Sequence, residues 1–119
     1  MNSVNLIGNL ATEVELREVG DEHKKVASFL LAVSRGAREA GADFVWVSAW
    51  ERQGELCSEY LAKGHRVGVV GRLKTRTWEQ DGRRRDAVEV VAQRVEFLSS
   101  PMRDEQEGEV TPFEMPVTA

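Results

Sequence analysis

Two short runs near the start of the chain, residues 3–10 and 14–19, alternate apolar side chains with other residues. Two further runs, residues 26–34 and 43–50, are rich in Val, Phe, Trp and Ala and are bounded by Gly or charged turns. Alternation of this kind is typical of β-strands, in which successive side chains point to opposite faces. The pattern therefore predicts four strands in the first 50 positions.

The spacing of apolar residues changes after position 50. Leu56, Tyr60 and Leu61 lie near helical spacing, and Gly64 is positioned to end the segment. The pattern predicts one short helix over residues 53–62.

Two longer strand patterns follow, over residues 67–78 and 87–98, on either side of Asp81 and Gly82. This dipeptide readily adopts the positive φ angles of a tight hairpin turn. Short strands, one helix and a final hairpin together predict a small all-β barrel.

The chain of 119 residues is long enough for one globular core and too short for two. Residues 1–100 are predicted to form that single domain. Residues 101–119 contain acidic side chains, three prolines and little to bury, so they predict a disordered acidic tail.

The net charge of −4 is unfavourable for a nucleic-acid binder, but its distribution changes that conclusion. Residues 1–100 hold 15 Lys or Arg and 15 Asp or Glu, whereas residues 101–119 hold one Arg and five acids. The whole excess of negative charge lies in the tail. Residues 66–85 carry seven Lys or Arg against two acids, which predicts a local basic surface.

Several protein classes are excluded at this stage. The apolar runs are far shorter than the roughly 20 residues of a membrane-spanning helix, and the first residues lack the pattern of a secretory signal. We expect a cytoplasmic protein with no membrane contact. Cys57 is the single cysteine and is predicted to pack in the core. We found no metal-binding, phosphate-cradling or nucleophile motif, so we expect no cofactor, no metal and no enzymatic activity.

The strand pattern that ends at Trp50 divides into two faces. Val45, Val47 and Ala49 share one face, and the other carries Phe44, Trp46, Ser48 and Trp50. With the small aliphatic side chains inward, three large aromatic side chains face outward. This strand alone leaves the opposite assignment open, with the aromatic residues in the core.

The strand pattern from residue 66 to 78 favours the first assignment. Its charged side chains share one face, and charged side chains are almost never buried unpaired. Val67, Val69, Gly71 and Leu73 are therefore predicted to face the core. The other face is a basic row that ends at Trp78. Aromatic side chains beside Lys and Arg are what sequence-tolerant binding of single strands requires, since every base has a π face and every nucleotide a phosphate.

Six segments keep a characteristic order and spacing: residues 4–10 (VNLIGNL), 16–17 (LR), 26–33 (VASFLLAV), 60–64 (YLAKG), 70–78 (VGRLKTRTW) and 95–98 (VEFL). Over residues 1 to about 98 the chain closely resembles the bacterial single-stranded DNA-binding (SSB) family. The resemblance implies an OB fold, a five-stranded Greek-key barrel with one short helix. It also implies a homotetramer that protects single-stranded DNA in replication, recombination and repair.

By position, the resemblance assigns base stacking to Phe44, Trp50 and Trp78. It places Arg72, Lys74 and Arg76 in the family's basic strand. With neighbouring residues added, the candidate DNA-binding residues are Arg35, Phe44, Trp46, Trp50, Arg66, Arg72, Lys74, Arg76, Trp78 and Arg84.

The tail departs from the family pattern. Typical members end in an acidic tip that closes on Pro-Phe, whereas six residues follow Phe113 here. The tail is expected to contact replication or repair proteins only weakly.

Two other functions remain as alternatives. One is an accessory module of the same fold that acts mainly through protein contacts, as in primosome or plasmid proteins. The other is a small enzyme on an OB scaffold, although the sequence contains no set of residues that indicates catalysis.

Overall fold

The computed structural model describes residues 1–99, and the predicted tail lies outside them. Six strands and one helix follow in chain order: β1 (Val4–Leu10), β2 (Glu15–Val19), β3 (Lys24–Ser34), β4 (Ala42–Trp50), α1 (Glu51–Tyr60), β5 (Arg66–Gln80) and β6 (Arg83–Ser99).

Five of the strands form a closed ring. The sheet order is β1-β5-β6-β4-β3-β2, and a further pairing of β1 with β3 closes the barrel, with β2 added to the outer edge of β3. All pairings are antiparallel except that of β4 with β6. A closed five-stranded barrel with this connectivity is the predicted OB fold.

The core is built from the inward positions of the strands. The largest fully buried side chains include Phe29 and Leu31 of β3, Val47 of β4 and Val90 of β6. Gly8 lets β1 approach β3 closely, because a Cβ there would collide with the carbonyl oxygen of Ala32. The apolar alternation that predicted the strands is thus the inward face of the ring.

The helix begins and ends earlier than the predicted residues 53–62. It follows Trp50 directly, and Leu61 already has extended backbone angles, with its N–H donated to the carbonyl of Cys57 at 2.9 Å. Gly64 lies in the next turn with a φ of 95°. The predicted end was wrong because Gly64 serves the turn into β5 and does not cap the helix.

The hairpin of β5 and β6 contains an irregularity in register, beyond which its residues become exposed. The register skips Gln93 between the pairs Val70–Arg94 and Gly71–Ala92, which is a β-bulge. Beyond it, residues 72–80 of β5 and 83–86 of β6 are all exposed. We call residues 72–89 the arm and the rest of the ring the barrel body.

Leu73 is the residue at which the predicted core face was wrong. It shares the parity of a core residue, yet 47% of it is exposed. Its backbone N–H donates to Oδ1 of Asn2 at 2.8 Å, and its carbonyl accepts from Nδ2 of Asn2 at 3.0 Å. The Asn2 amide therefore extends the pairing of β1 with β5, but nothing covers the Leu73 side chain as the core covers Val69.

The turn of the arm is as predicted. Asp81 and Gly82 have φ angles of 55° and 75°, the positive values of a two-residue hairpin turn.

Candidate nucleic-acid interface

The aromatic side chains of β4 lie on the outer face of the barrel. Phe44 is 60% exposed and Trp46 is 49% exposed, whereas Val47 and Ala49 are buried. Trp50 is partly buried and lies opposite the buried Val26 of β3. The strand faces are therefore those predicted, with the aromatic side chains outward.

The neighbouring strands continue this face. Because β6 lies between β4 and β5, the register places Trp46 beside Glu89 and Glu89 beside Lys74. Paired residues in a sheet share a face. One row across three strands thus contains an aromatic, an acidic and a basic side chain.

Along β5 the same face carries Arg72, Lys74, Arg76 and Trp78, all exposed. The Arg76 guanidinium carbon lies 5.1 Å from the centroid of the Trp78 ring, within range of a cation–π contact. Neither Arg72 nor Lys74 makes an ion pair within residues 1–99. These two cations are available to an anionic ligand.

Glu89 is the feature that sequence reasoning missed. Its side chain is only 16% exposed, and its Oε1 lies 3.2 Å from Nε of Arg76. Its Oε2 accepts a hydrogen bond of 3.2 Å from the hydroxyl of Ser48, which is itself buried. A partly buried carboxylate therefore lies in the middle of a basic and aromatic surface.

The arginines near the turn do not all join this face. The register pairs Trp78 with Arg85 and Gln80 with Arg83, whereas Arg84 pairs with Glu79 on the opposite face. Arg85 and Arg83, which sequence reasoning did not select, share the face of Trp78. The signal was present, since a two-residue turn sets the register of a hairpin.

Arg35 lies near the start of β4, where it forms ion pairs with two acidic residues. Its Nε donates to Oδ1 of Asp43 at 3.0 Å, its Nη2 lies 2.9 Å from the same oxygen, and its Nη1 lies 3.5 Å from Glu39. Its charge is therefore already paired.

Arg66 lies apart from the other candidates. It begins β5 and pairs with Asn9 of β1 and Ser99 of β6, at the opposite end of β5 from Trp78.

Arg17 of β2, which the sequence analysis did not name as a candidate, is closer to the aromatic side chains of β4. It pairs with Val26, which pairs with Trp50, and its Nη1 donates to the hydroxyl of Ser28 at 3.4 Å.

The surface formed by these strands is defined here as the aromatic–basic face. Its members on β4, β5 and β6 are Phe44, Trp46, Trp50, Arg72, Lys74, Arg76, Trp78, Arg83, Arg85 and Glu89. Among residues 1–99, no group of three or more His, Cys, Asp or Glu side chains could hold a metal ion. No helix in the described part of the chain is long and apolar enough to cross a membrane.

Comparison with known proteins gives one consistent result. Residues 1–98 match the model of the single-strand binding protein family. A protein of Clostridium acetobutylicum named single-stranded DNA-binding protein 3 is 42% identical over 102 residues, which cover 82% of this chain and 71% of that protein. The single-stranded DNA-binding protein of Clostridium tetani is also 42% identical, over 82% of this chain and 70% of its own length. That of Bacillus cereus is 44% identical over 105 residues, which cover 82% of this chain and 60% of that protein.

Proposed function

The chain belongs to the single-strand binding protein family, and from this premise we propose that it binds single-stranded DNA without reading its sequence. The observation that carries this proposal is the aromatic–basic face, where exposed aromatic side chains lie beside Arg72 and Lys74, which make no ion pair within residues 1–99. Stacking on aromatic rings is open to every base, and Lys and Arg contact every phosphate.

The spacing of the aromatic side chains favours single strands over duplex. Alternate residues on a strand lie about 6.6 Å apart, roughly twice the 3.4 Å rise between stacked nucleotides. Bases that contact Phe44 and Trp46 in succession must therefore be unstacked from each other. Duplex DNA offers such bases only after melting.

The residues divide into two roles. We assign stacking to Phe44, Trp46, Trp50 and Trp78, and phosphate contact to Arg72 and Lys74, with Arg83 and Arg85 further along the arm. Arg84 on the opposite face, Arg35 in its ion pairs and Arg66 at the far end of β5 remain candidates for an extended path of the strand. A bound strand that passes beyond the aromatic–basic face would be needed to reach them.

Titration with oligo-dT, followed by tryptophan fluorescence, tests the proposal. The three tryptophans of the chain all lie on the aromatic–basic face, so stacked bases should quench them directly. A duplex of the same length is the control and should quench far less. Equal binding of duplex, or no binding of oligo-dT, would contradict the proposal and favour the accessory module that acts through protein contacts.

We further propose that the subunits self-associate, as the homotetramer implied by the family resemblance. The support is a second outer surface, on β1, β5 and β6, where exposed Ile7 and Leu98 flank the bare backbone of Gly68. Arg94 and Glu96 line the same shallow groove. An apolar surface bordered by polar residues is typical of an interface.

Light scattering should give a multiple of the 13.3 kDa chain mass. Ile7→Glu should shift the mass toward the monomer, whereas Leu16→Glu, an equal change on exposed β2, should not. A clean monomer for the unaltered chain at micromolar concentration would contradict this assignment.

The remaining roles rest on the family and on the sequence alone. We propose that the protein acts in the cytoplasm, on DNA exposed in replication, recombination and repair. The tail, which lies outside the described residues, is proposed to contact replication or repair proteins weakly.

A further inference from the structure

Glu89 is an unexpected residue on this surface, because a carboxylate repels the phosphates that a DNA-binding surface attracts. Its side chain is largely covered, and it is held from two sides, by the Ser48 hydroxyl on β4 and by Arg76 on β5. A residue held in this way contributes a fixed negative charge at a fixed place.

The ion pair of Glu89 is selective. The register places Lys74 directly opposite Glu89, yet within residues 1–99 the ion pair runs diagonally to Arg76, and Lys74 has none. Arg76 is thereby neutralised, whereas Arg72 and Lys74 keep unpaired charges among the described residues.

The same contact orients Arg76. With its Nε directed to Glu89, the guanidinium lies over the Trp78 ring. Arg guanidinium planes stack with bases as aromatic rings do. The planar guanidinium of Arg76 is thus held next to the indole, and its charge is already balanced by Glu89.

We propose that Glu89 is a positioning residue which makes Arg76 part of the stacking surface of Trp78 and leaves phosphate contact to Arg72 and Lys74. This inference rests on the proposed DNA-binding function. It assigns different roles to side chains that the sequence presents as one basic row.

The first test is Glu89→Gln in the full chain, titrated with oligo-dT over a series of salt concentrations. Glutamine keeps an oxygen that can accept from Ser48, but it lacks the charge that pairs Arg76. Release of Arg76 to a phosphate should steepen the slope of log affinity against log salt by about 0.7, the value for one phosphate on a single strand. Affinity at low salt should rise accordingly.

Glu79→Gln is the matched control, because Glu79 is an exposed acid of the same hairpin on the opposite face. It removes an equal charge and should leave the slope unchanged. An unchanged slope in Glu89→Gln, or an equal change in both variants, would overturn the proposal.

A double variant separates positioning from simple repulsion. If Glu89 acts through Arg76, then Glu89→Gln should have no effect on the slope when Arg76→Gln is already present. A slope change that persists in that background would show direct repulsion of phosphate by Glu89 and would overturn the inference.

Arg76→Lys provides a measurement that does not depend on how Glu89 variants fold. Lysine keeps the charge but has no planar group, so stacking should be lost. Affinity should fall by about fivefold at every salt concentration, the low end of the loss for one stacked base, with the slope unchanged. Full affinity in Arg76→Lys would show that only the charge matters.

If the unaltered chain fails to bind oligo-dT, the proposed function fails. If it binds and only these variants depart from expectation, the positioning role alone fails.

Discussion

The two halves of β5 differ in burial, although they form one continuous strand. In the barrel body, Val67, Val69 and Gly71 are buried and alternate with less buried residues, whereas every residue from Arg72 to Gln80 in the arm is exposed. Side chains of the body are constrained by the core. Side chains of the arm are constrained only by their cross-strand neighbours. Substitutions at the buried positions of the body should therefore change stability, and substitutions in the arm should change binding.

The largest expected effect is on the core. Phe29 is fully buried, so Phe29→Ala should lower the free energy of unfolding by about 3–5 kcal/mol. Phe44→Ala makes the same chemical change on the exposed face and should stay within about 0.5 kcal/mol. Urea unfolding at one protein concentration measures both. Equal losses would mean that the aromatic face is also part of the core.

The rate of thiol labelling should differ greatly between a buried cysteine in α1 and an exposed cysteine in the arm. Cys57 is fully buried, and this burial raises the pKa of its thiol to about 11. At pH 8 its thiolate fraction is therefore very small, and it should react with iodoacetamide over about a hundredfold more slowly than an ordinary exposed thiol. Thr75→Cys in the arm supplies that exposed thiol in the same chain, and peptide mass analysis distinguishes the two. Similar rates would show that α1 opens readily.

In the arm, Trp78→Ala should weaken oligo-dT binding by about 1–3 kcal/mol, the usual value for one stacked base. The melting temperature should barely change, because the ring is partly exposed and packs against Arg76. Thr75→Ala, on the opposite face of β5, is the control and should keep full affinity. A large fall in melting temperature with intact affinity would assign Trp78 to the fold.

The smallest effect should be at Leu73, where strand parity and exposure disagree. Leu73→Thr should change the free energy of unfolding by no more than about 0.5 kcal/mol. Val69→Thr, four residues earlier on the same face of β5, buries a hydroxyl and should cost about 1–3 kcal/mol. If Leu73→Thr cost as much, the arm would have to be covered, for example by another subunit.

Leu73 also shows where prediction from the sequence reaches its limit. Alternation correctly separated Val47 and Ala49 from Phe44 and Trp46, because a strand has only two faces. It could not show that the core ends at the bulge beside Gly71, since parity gives the face of a side chain and not what covers that face. The barrel was predictable, and the point at which the hairpin leaves it was not.

For the site, likewise, the strand register was predictable from the sequence and the side-chain contacts were not. The two-residue turn at Asp81 and Gly82 sets the pairing of Trp78 with Arg85, so the sequence already places Arg85, and not Arg84, on the face of Trp78. The same register places Glu89 opposite Lys74. That Glu89 pairs with Arg76 instead depends on side-chain geometry across the strands, which no pattern in the sequence encodes.

Two of the strand pairings that close the ring are short. The pairing of β1 with β3 joins two residue pairs, and that of β4 with β6 joins three. Both connect segments distant in the chain, whereas the β3–β4 and β5–β6 hairpins are local. Distant pairings form late in folding, and short ones open at the lowest free energy.

The β4–β6 junction runs beneath the aromatic–basic face, with Trp46 on one side and Lys74 beyond Glu89 on the other. A ligand that bridges the junction can bind only while it is closed, so binding must oppose its opening. We expect the amide hydrogens that join β4 to β6, among residues 46–48 and 89–91, to exchange with deuterium early in the free protein and late in the complex. Of the two short pairings that close the barrel, the ligand would then stabilise the one between β4 and β6.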